Sequence, residues 1–328
     1  MIIVGDIHLD KRFPYTNSKT HLRWLQLQDS TLNRIFKSGE AAIQVGDLFD
    51  KFMVTAEQFI RADSIVAKRC LRVIAGNHDT SNNTDKKSAV HLLQNATHYP
   101  TCLPYGGVNY VIVPHQLTQE QFEIELGALD NLTDTQTPNI LLLHCNYGDR
   151  EGTQTENYLR PDMAKKLLTK FNGIVFGHEH NGGTRAKNVI AVGSILPMNF
   201  GEMADKYVWN VEEWAPELIW SAGESYRQWS FQEFLREPLQ PLQFVEIYGE
   251  VTAAESLAVK RLIATWYSES ETIIAIKDST TPLRIDSEVA EERISQADWE
   301  TTVLALLTDS EKQLFQEIKN EIENPNAD

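Results

Sequence analysis

The chain has 328 residues, 42% hydrophobic and 23% charged, with a formal net charge of −16. This is a globular composition of about two-domain length, and it excludes a disordered chain and, with no apolar run near the roughly 20 residues of a bilayer span, a membrane-spanning one. Residues 1–220 carry 25 Asp+Glu against 21 Lys+Arg and residues 221–328 carry 21 against 9, so a general polyanion-binding surface is excluded, and any DNA role must use a local groove, metal ions or a partner.

In chain order, Ile2-Ile3-Val4 predicts a short buried strand ending in Gly5-Asp6-Ile7-His8. His21 to Lys37 predicts an amphipathic helix closed by Gly39. Ala41 to Val45 predicts a second strand, ending in Gly46-Asp47-Leu48-Phe49-Asp50, followed by a helix over Thr55 to Arg69. Leu71 to Ala75 predicts a third strand, ending in Gly76-Asn77-His78-Asp79, with a short helix over Ser88 to Ala96. Val108 to Val113 is expected as a strand and Glu120 to Leu132 as a helix. Asn139 to Leu143 is a buried strand ending in His144, and Pro161 opens a helix to Phe171. Gly173 to Phe176 is a strand ending in Gly177-His178-Glu179-His180. Asn188 to Val192 and Lys206 to Val211 follow as neighbouring strands. Residues 222–242, with Pro238 and Pro241, are expected as a linker. Phe244 to Ile276 predicts a β-α-β unit, and a capping box at Thr308 to Glu311 opens a terminal amphipathic helix with Leu314, Phe315, Ile318 and Ile322 on one face. The domains are therefore expected at 1–221, 243–290 and 291–328, around that linker.

Five times an apolar strand ends in residues that can bind a metal. Alternating strands and helices predict an α/β layered fold with its site at the strand ends. Singly, Asp6 with His8 reads equally well as a capped turn, and His144 as a satisfied core histidine; the recurrence selects metal ligation. Carboxylate, imidazole and amide-oxygen donors suit Mn²⁺, Fe²⁺ or Zn²⁺, with Mg²⁺ also a candidate. Seven ligands are too many for one ion and suit two if one carboxylate bridges. Two ions can clamp a phosphoryl group, which leaves His78 free as a general acid. His21, His91, His98 and His115 match no motif and read as surface or packing residues, and Cys145 as a small core residue. The three cysteines lack a CxxC, and the N-terminus lacks signal-peptide features, so the expected compartment is the cytoplasm, of a bacterial cell or phage-infected host.

Asp6-x-His8, Gly46-Asp47, Gly76-Asn77-His78-Asp79, His144 and Gly177-His178-x-His180 together resemble the motif set of the calcineurin-like metallophosphoesterase superfamily. The resemblance implies a layered β-sandwich flanked by helices. It assigns Asp6, His8, Asp47 and His180 to one metal ion and Asp47, Asn77, His144 and His178 to the other, with His78 as proton donor and Asp79 steadying it. Gly46-Asp47-Leu48-Phe49-Asp50, the segment Val192-Gly193-Ser194 with Asn199 to Glu202, and the β-α-β unit as a capping domain resemble the SbcD-type repair nucleases. Asp10 and Val192 depart from that family, which usually has Gly and Pro there. The likeness implies two Mn²⁺ ions, 3′-to-5′ exonuclease action on duplex DNA and endonuclease action on single strands or hairpins. It also implies an SbcC-type coiled-coil ATPase and a homodimer within a heterotetramer, acting in DNA repair, recombination or replication, with the terminal helix as a possible partner-binding segment. Lys11, Arg12, Lys86, Lys87, Arg150 and Arg160 are candidate DNA-phosphate contacts, or solvated loop charges. The competing readings are a phosphoesterase of small phosphodiesters or phosphoproteins, and a non-enzymatic scaffold, which would be expected to lack ligands.

Overall fold

A computed structural model describes residues 1–13, 18–81, 88–133, 136–148, 156–200, 202, 204–221, 226–237, 243–269 and 273–283, with Lys312. The described strands are β1 (Ile2–Val4), β2 (Ala42–Val45), β3 (Cys70–Ile74), β4 (Ala96–Thr97), β5 (Thr101–Tyr105), β6 (Val108–Val113), β7 (Asn139–His144), β8 (Asn146–Tyr147), β9 (Tyr158–Leu159), β10 (Gly173–Gly177), β11 (Gly183–Ala186), β12 (Val189–Ala191), β13 (Lys206–Asn210), β14 (Ala215–Trp220), β15 (Tyr226–Ser230), β16 (Gln243–Val251) and β17 (Ile273–Pro282). The helices are α1 (Ser18–Ile35), α2 (Ala56–Ile65), α3 (Gln119–Gly127), α4 (Pro161–Leu167), the single turn α5 (Phe231–Phe234) and α6 (Ala253–Glu269).

Two six-stranded sheets, ordered β14-β13-β1-β2-β3-β4 and β11-β12-β10-β7-β6-β5, form the larger lobe. The run β1-β2-β3-β4 is parallel, as is β12-β10-β7-β6, and antiparallel strands close the outer edges at β13, β14, β11 and β5. Side-chain alternation explains why these strands read as unbroken apolar runs: both faces of each sheet are buried. Ile3, Ile43, Val45 and Ile74 of the first sheet meet Ile112, Ile140, Leu142 and Val175 of the second in one cluster between the sheets. The opposite faces pack outward. Val4, Ala42 and Val73 lie in a cluster with Trp24, Leu32 and Ile35 of α1 and Ala62 of α2, and Leu141, Leu143, Ile174 and Phe176 lie in another with Phe122 of α3 and Ala164 of α4. The result is a helix–sheet–sheet–helix sandwich.

The chain's own signals set the element ends. Thr55 caps α2 through a reciprocal capping box with Gln58, and Gly39 closes the turn after α1 in the left-handed region at φ 71°. The expected helices over Ser88 to Ala96 and Glu120 to Leu132 are shorter than predicted. The first is a 3-10 turn, and the second is α3 followed by a 3-10 turn at Leu129–Leu132.

Residues 226–237 correct the expected linker. β15 pairs in parallel with β16 from Tyr226↔Phe244 to Ser230↔Tyr248, and α5 follows it directly. β16 also pairs in parallel with β17, so the expected β-α-β unit is the second half of a three-stranded sheet ordered β15-β16-β17. One face of this sheet packs on α6 and α5, through Val245, Ile247, Val259 and Phe234. The other joins the larger lobe, where the Phe244 ring lies 5.4 Å from Phe13 and 5.6 Å from Phe200, both edge-on. The terminal helix expected from Thr308 lies outside the described residues, apart from Lys312.

Glu246 ties the three strands of the smaller sheet together. Its carboxylate accepts from Lys277 Nζ (2.8 Å), Tyr226 OH (2.6 Å), Ser279 Oγ (2.8 Å) and Gln228 Nε2 (3.1 Å). The Lys277 and Tyr226 hydrogen bonds outweigh burial and hold it at about 2, below its ordinary 4.5. A depressed carboxylate contributes stability that is present above about 4.5 and lost as pH falls toward about 2. Melting temperature against pH should therefore fall in that window, and Glu246→Gln should flatten the fall. An unchanged acid limb in the variant would show that this carboxylate does not clamp the sheet.

Candidate metal centre

The C-terminal ends of β1, β2 and β3 in one sheet and of β7 and β10 in the other meet at one rim of the sandwich. That rim brings six of the seven expected ligands into two clusters, with Asp6 beside them. In the first, His8 Nε2 and His180 Nε2 lie 3.0 Å apart, and Asp47 Oδ2 is 3.7 Å from His8 Nε2. In the second, Asn77 Oδ1 lies 2.9 Å from His144 Nε2 and 2.8 Å from His178 Nδ1, with Asp47 Oδ1 3.4 Å from His144 Nε2. Asp47 thus faces both clusters with different oxygens. Asp6 Oδ1 accepts the His178 backbone N–H at 2.9 Å, while its Oδ2 is buried without a hydrogen-bond partner.

This arrangement fits a pair of divalent cations. Two imidazole nitrogens aimed at each other, a buried carboxylate oxygen with no donor, and an amide oxygen shared by two imidazoles all find a common partner in a cation. The imidazoles are also turned to present lone pairs inward. His144 Nδ1 donates to the Val45 carbonyl at 3.0 Å, and His180 Nδ1 donates to Glu202 Oε1 at 2.7 Å, leaving each Nε2 free.

Backbone strain concentrates at the same residues. His8, Asp47 and His178 adopt positive φ of 45°, 53° and 94°, an expensive conformation for residues with a Cβ and one that clusters at functional sites. Gly76 has a different constraint. A Cβ there would lie 2.2 Å from Asp47 Oδ1 and 2.3 Å from Asp47 N, so its hydrogen lets β3's loop close on β2's. Gly76→Ala should therefore force the two loops apart, costing about 1–3 kcal/mol and weakening metal binding; a chemical denaturation midpoint equal to wild type would contradict this.

The buried carboxylate and imidazoles shift one another. Burial would raise Asp47, but the imidazoles of His144, His8 and His78 hold it well below the usual carboxylate range. His144 rises to about 9 despite burial, through its ion pair and hydrogen bond with Asp47. Burial and the neighbouring His144 push His178 down to about 4.

His78 stands beside the clusters. Its ring meets His8 edge-on at 4.8 Å, and its Nδ1 donates to the Asp50 carbonyl at 2.9 Å. The Asp50 carbonyl therefore orients His78, where the sequence suggested Asp79. Asp79 instead accepts three backbone N–H groups, from Leu48 (3.1 Å), Phe49 (2.8 Å) and Gly76 (3.0 Å), and binds the two loops together. Burial, reinforced by Asp47, raises its carboxyl to about 7.

Several contributors were given no role of their own by the sequence. Asp50 Oδ1 lies 3.5 Å from His8 Nδ1 and 2.9 Å from Lys11 Nζ, and with His8 and His78 it forms a further grouping of metal-capable atoms. Burial opposes, and the adjacent His8 imidazole and Lys11 ammonium impose, its depression to about 2. Glu179, between the two histidine ligands, accepts from Tyr147 N and Arg185 Nε, both at 2.6 Å, and so fixes the turn that sends His178 and His180 to different clusters. His115, expected as an ordinary packing residue, has its ring 6.3 Å from His144, and burial, then His144, lower it to about 3. His91 and His98 stack on each other at 4.4 Å, and Cys145 is a buried core thiol that burial raises.

Of the candidate DNA contacts, Lys11 pairs with Asp50, Arg12 is exposed beside it, and Arg160 lies 3.5 Å from Glu123. Lys86, Lys87 and Arg150 lie outside the described residues. Lys11 and Arg12 line a cleft of about 970 Å³ between the lobes, with Phe13, Phe200, Lys260 and Lys277.

No curated protein matches the chain in sequence. Among solved structures, it is similar to the protein TT1561 of Thermus thermophilus, at 11% identity and a TM-score of 0.41, over 66% of this chain and 96% of that one. The family model for the calcineurin-like phosphoesterases matches residues 1–182, a span that holds all seven candidate ligands and His78. The chain belongs to the calcineurin-like phosphoesterase family.

Proposed function

We propose that this phosphoesterase is a DNA nuclease of the SbcD type, cleaving phosphodiester bonds 3′-to-5′ on duplex DNA and endonucleolytically on single strands or hairpins. Two divalent ions, Mn²⁺ in this reading, held by Asp6, His8, Asp47 and His180 and by Asp47, Asn77, His144 and His178, supply Lewis acidity and acidify a water. The protein's own residues do the rest. Asp47 holds the two ligand sets in one register. His78, with Nδ1–H donated to the Asp50 carbonyl, turns Nε2 outward to protonate the departing oxygen.

The observation that carries DNA over a smaller ester is the junction of the lobes. Lys11, Arg12, Lys260 and Lys277 face one cleft, and Lys11 touches the carboxylate that stands against His8. Against these four stands Asp278, and Lys11 and Lys277 are paired with Asp50 and Glu246, so the cleft is locally basic chiefly at Arg12 and Lys260 on a chain of net charge −16; it suits a phosphate backbone running past the centre. An SbcC-type ATPase would supply the remaining positive surface, within a heterotetramer built on a nuclease homodimer in the cytoplasm. Among the described residues no helix is long and apolar enough to cross a membrane.

The test is cleavage of end-labelled linear duplex and hairpin DNA by the Mn²⁺-loaded chain, alone and with such an ATPase, beside bis(p-nitrophenyl) phosphate. DNA cleavage lost on chelation is expected. Turnover of the nitrophenyl ester with intact DNA would favour a small-molecule phosphodiesterase instead.

A further inference from the structure

Glu202 lies beyond the residues that match the family, in the coil between β12 and β13, and is 4% exposed. Its two carboxylate oxygens do different work. Oε2 accepts from Ser194 Oγ (3.1 Å), Met198 N (3.0 Å) and Lys206 Nζ (2.7 Å). Oε1 accepts from Asn199 Nδ2 (2.8 Å) and from His180 Nδ1 (2.7 Å). One oxygen is anchored by three donors, and the other is aimed at a metal ligand.

Lys206 completes the device. Its side chain is fully buried, and besides Glu202 its ammonium donates to the His180 carbonyl at 2.9 Å. The Ser194 backbone N–H donates to the same carbonyl at 3.1 Å. A buried Glu–Lys pair is a poor way to stabilise a fold, because an apolar pair of the same volume generally does as well or better. Here the pair has another use: it holds a charged acceptor rigidly against one imidazole. The backing of the ligands is correspondingly uneven. His180 is backed by a carboxylate, whereas His144 is backed by the neutral Val45 carbonyl. A carboxylate on the far nitrogen fixes the tautomer and strengthens the metal-facing nitrogen as a donor.

We propose that Glu202 is a positioning residue for the first metal ion: through His180 Nδ1 it sets how tightly the cluster of Asp6, His8, Asp47 and His180 holds its cation, and it makes that grip depend on the Ser194–Asn199 loop. This rests on the two-ion reading of the site and not on the DNA substrate. The loop also connects to the lobe junction, since Met198, Asn199 and Phe200 line the cleft there.

The test counts ions, so it is separable from nuclease activity. Glu202→Gln alone would leave Lys206 buried without its counter-charge. The informative set is therefore Lys206→Met, Glu202→Gln/Lys206→Met and Glu202→Asp, which shortens the carboxylate but keeps the charge. Each is loaded with Mn²⁺, dialysed, and read by metal analysis and by electron paramagnetic resonance for the exchange-coupled pair. Lys206→Met keeps the carboxylate but removes one of its anchors, so it should keep two ions with the first held less tightly than in wild type. The double variant and Glu202→Asp should bind one of the two about 10–100-fold more weakly and lose the coupled signal while the other ion stays. Both ions held at wild-type affinity in the double variant and Glu202→Asp would overturn the proposal.

A second readout uses the unaltered protein. In the Zn²⁺-loaded chain, ¹⁵N–¹H correlation of the imidazoles should show His180 protonated at Nδ1, with a downfield, slowly exchanging proton, and metallated at Nε2. A His180 ring protonated at Nε2 would overturn the proposal whatever the variants do.

Discussion

His78→Ala is expected to keep both metal ions and to lose DNA cleavage by about 10²–10⁴-fold, the usual worth of a positioned general acid. The reason is its place beside the two clusters. Its ring packs edge-on against His8 at 4.8 Å, but its Nδ1 is committed to the Asp50 carbonyl at 2.9 Å, and its backbone N–H donates to Asp47 Oδ1 at 2.9 Å. Alanine keeps the backbone bond and removes only the ring. The loss should shrink for a substrate whose leaving group needs no proton, such as a p-nitrophenyl ester, and persist for DNA. Metal analysis of the variant separates the roles: if an ion leaves with the ring, His78 is a ligand and the assignment fails.

Asp47→Asn should have the larger effect. This is the one ligand whose oxygens face both clusters, at 3.7 Å from His8 Nε2 and 3.4 Å from His144 Nε2. Asparagine preserves the shape and still accepts the His78 N–H. It replaces one anionic oxygen with an amide nitrogen and removes the charge that holds His144 at about 9. The expected result is at most one tightly bound ion per chain and a loss of cleavage exceeding that of His78→Ala. Two ions at wild-type affinity would mean that Asp47 does not bridge.

The sequence made the candidate ligands easy to find because the parallel strands are short and buried on both faces. Each reads as an apolar run, and the first polar residues after it mark the rim where the sheets end. Asp6, His8, Asp47, Asn77, His144, His178 and His180 were legible for that reason. The roles of the residues that hold those side chains in place were not. Glu202 and Lys206 sit in and after a coil with no periodicity, and only folding brings them to His180. Asp79 stands next to His78 in sequence, yet its carboxylate turns to backbone N–H groups of the neighbouring loop, so adjacency misled. β15 was hidden for another reason. Its residues Tyr226–Ser230 are mostly half-buried and polar on one face, and the prolines at 238 and 241 drew the whole stretch toward a linker reading.

Asp10 holds a turn that glycine would take more easily. It adopts φ 63°, where glycine would be at ease, and its carboxylate pairs with Arg61 of α2. Arg61 also reaches Asp29 and Gln28 of α1, and Gln28 Nε2 donates to the Ile7 carbonyl at 2.9 Å and the His8 carbonyl at 3.3 Å. The strained turn that presents His8 is thereby tied to both helices behind the first sheet.

We propose that strand ends from two sheets hold two ions, bridged by Asp47 and flanked by a histidine that binds neither. Titration of the metal-free chain with Mn²⁺, followed by calorimetry and by electron paramagnetic resonance, tests it most directly. The prediction is two ions per chain with an exchange-coupled signal that His78→Ala retains and Asp47→Asn abolishes. A single uncoupled ion in the wild-type chain, or a coupled pair that survives Asp47→Asn, would contradict it.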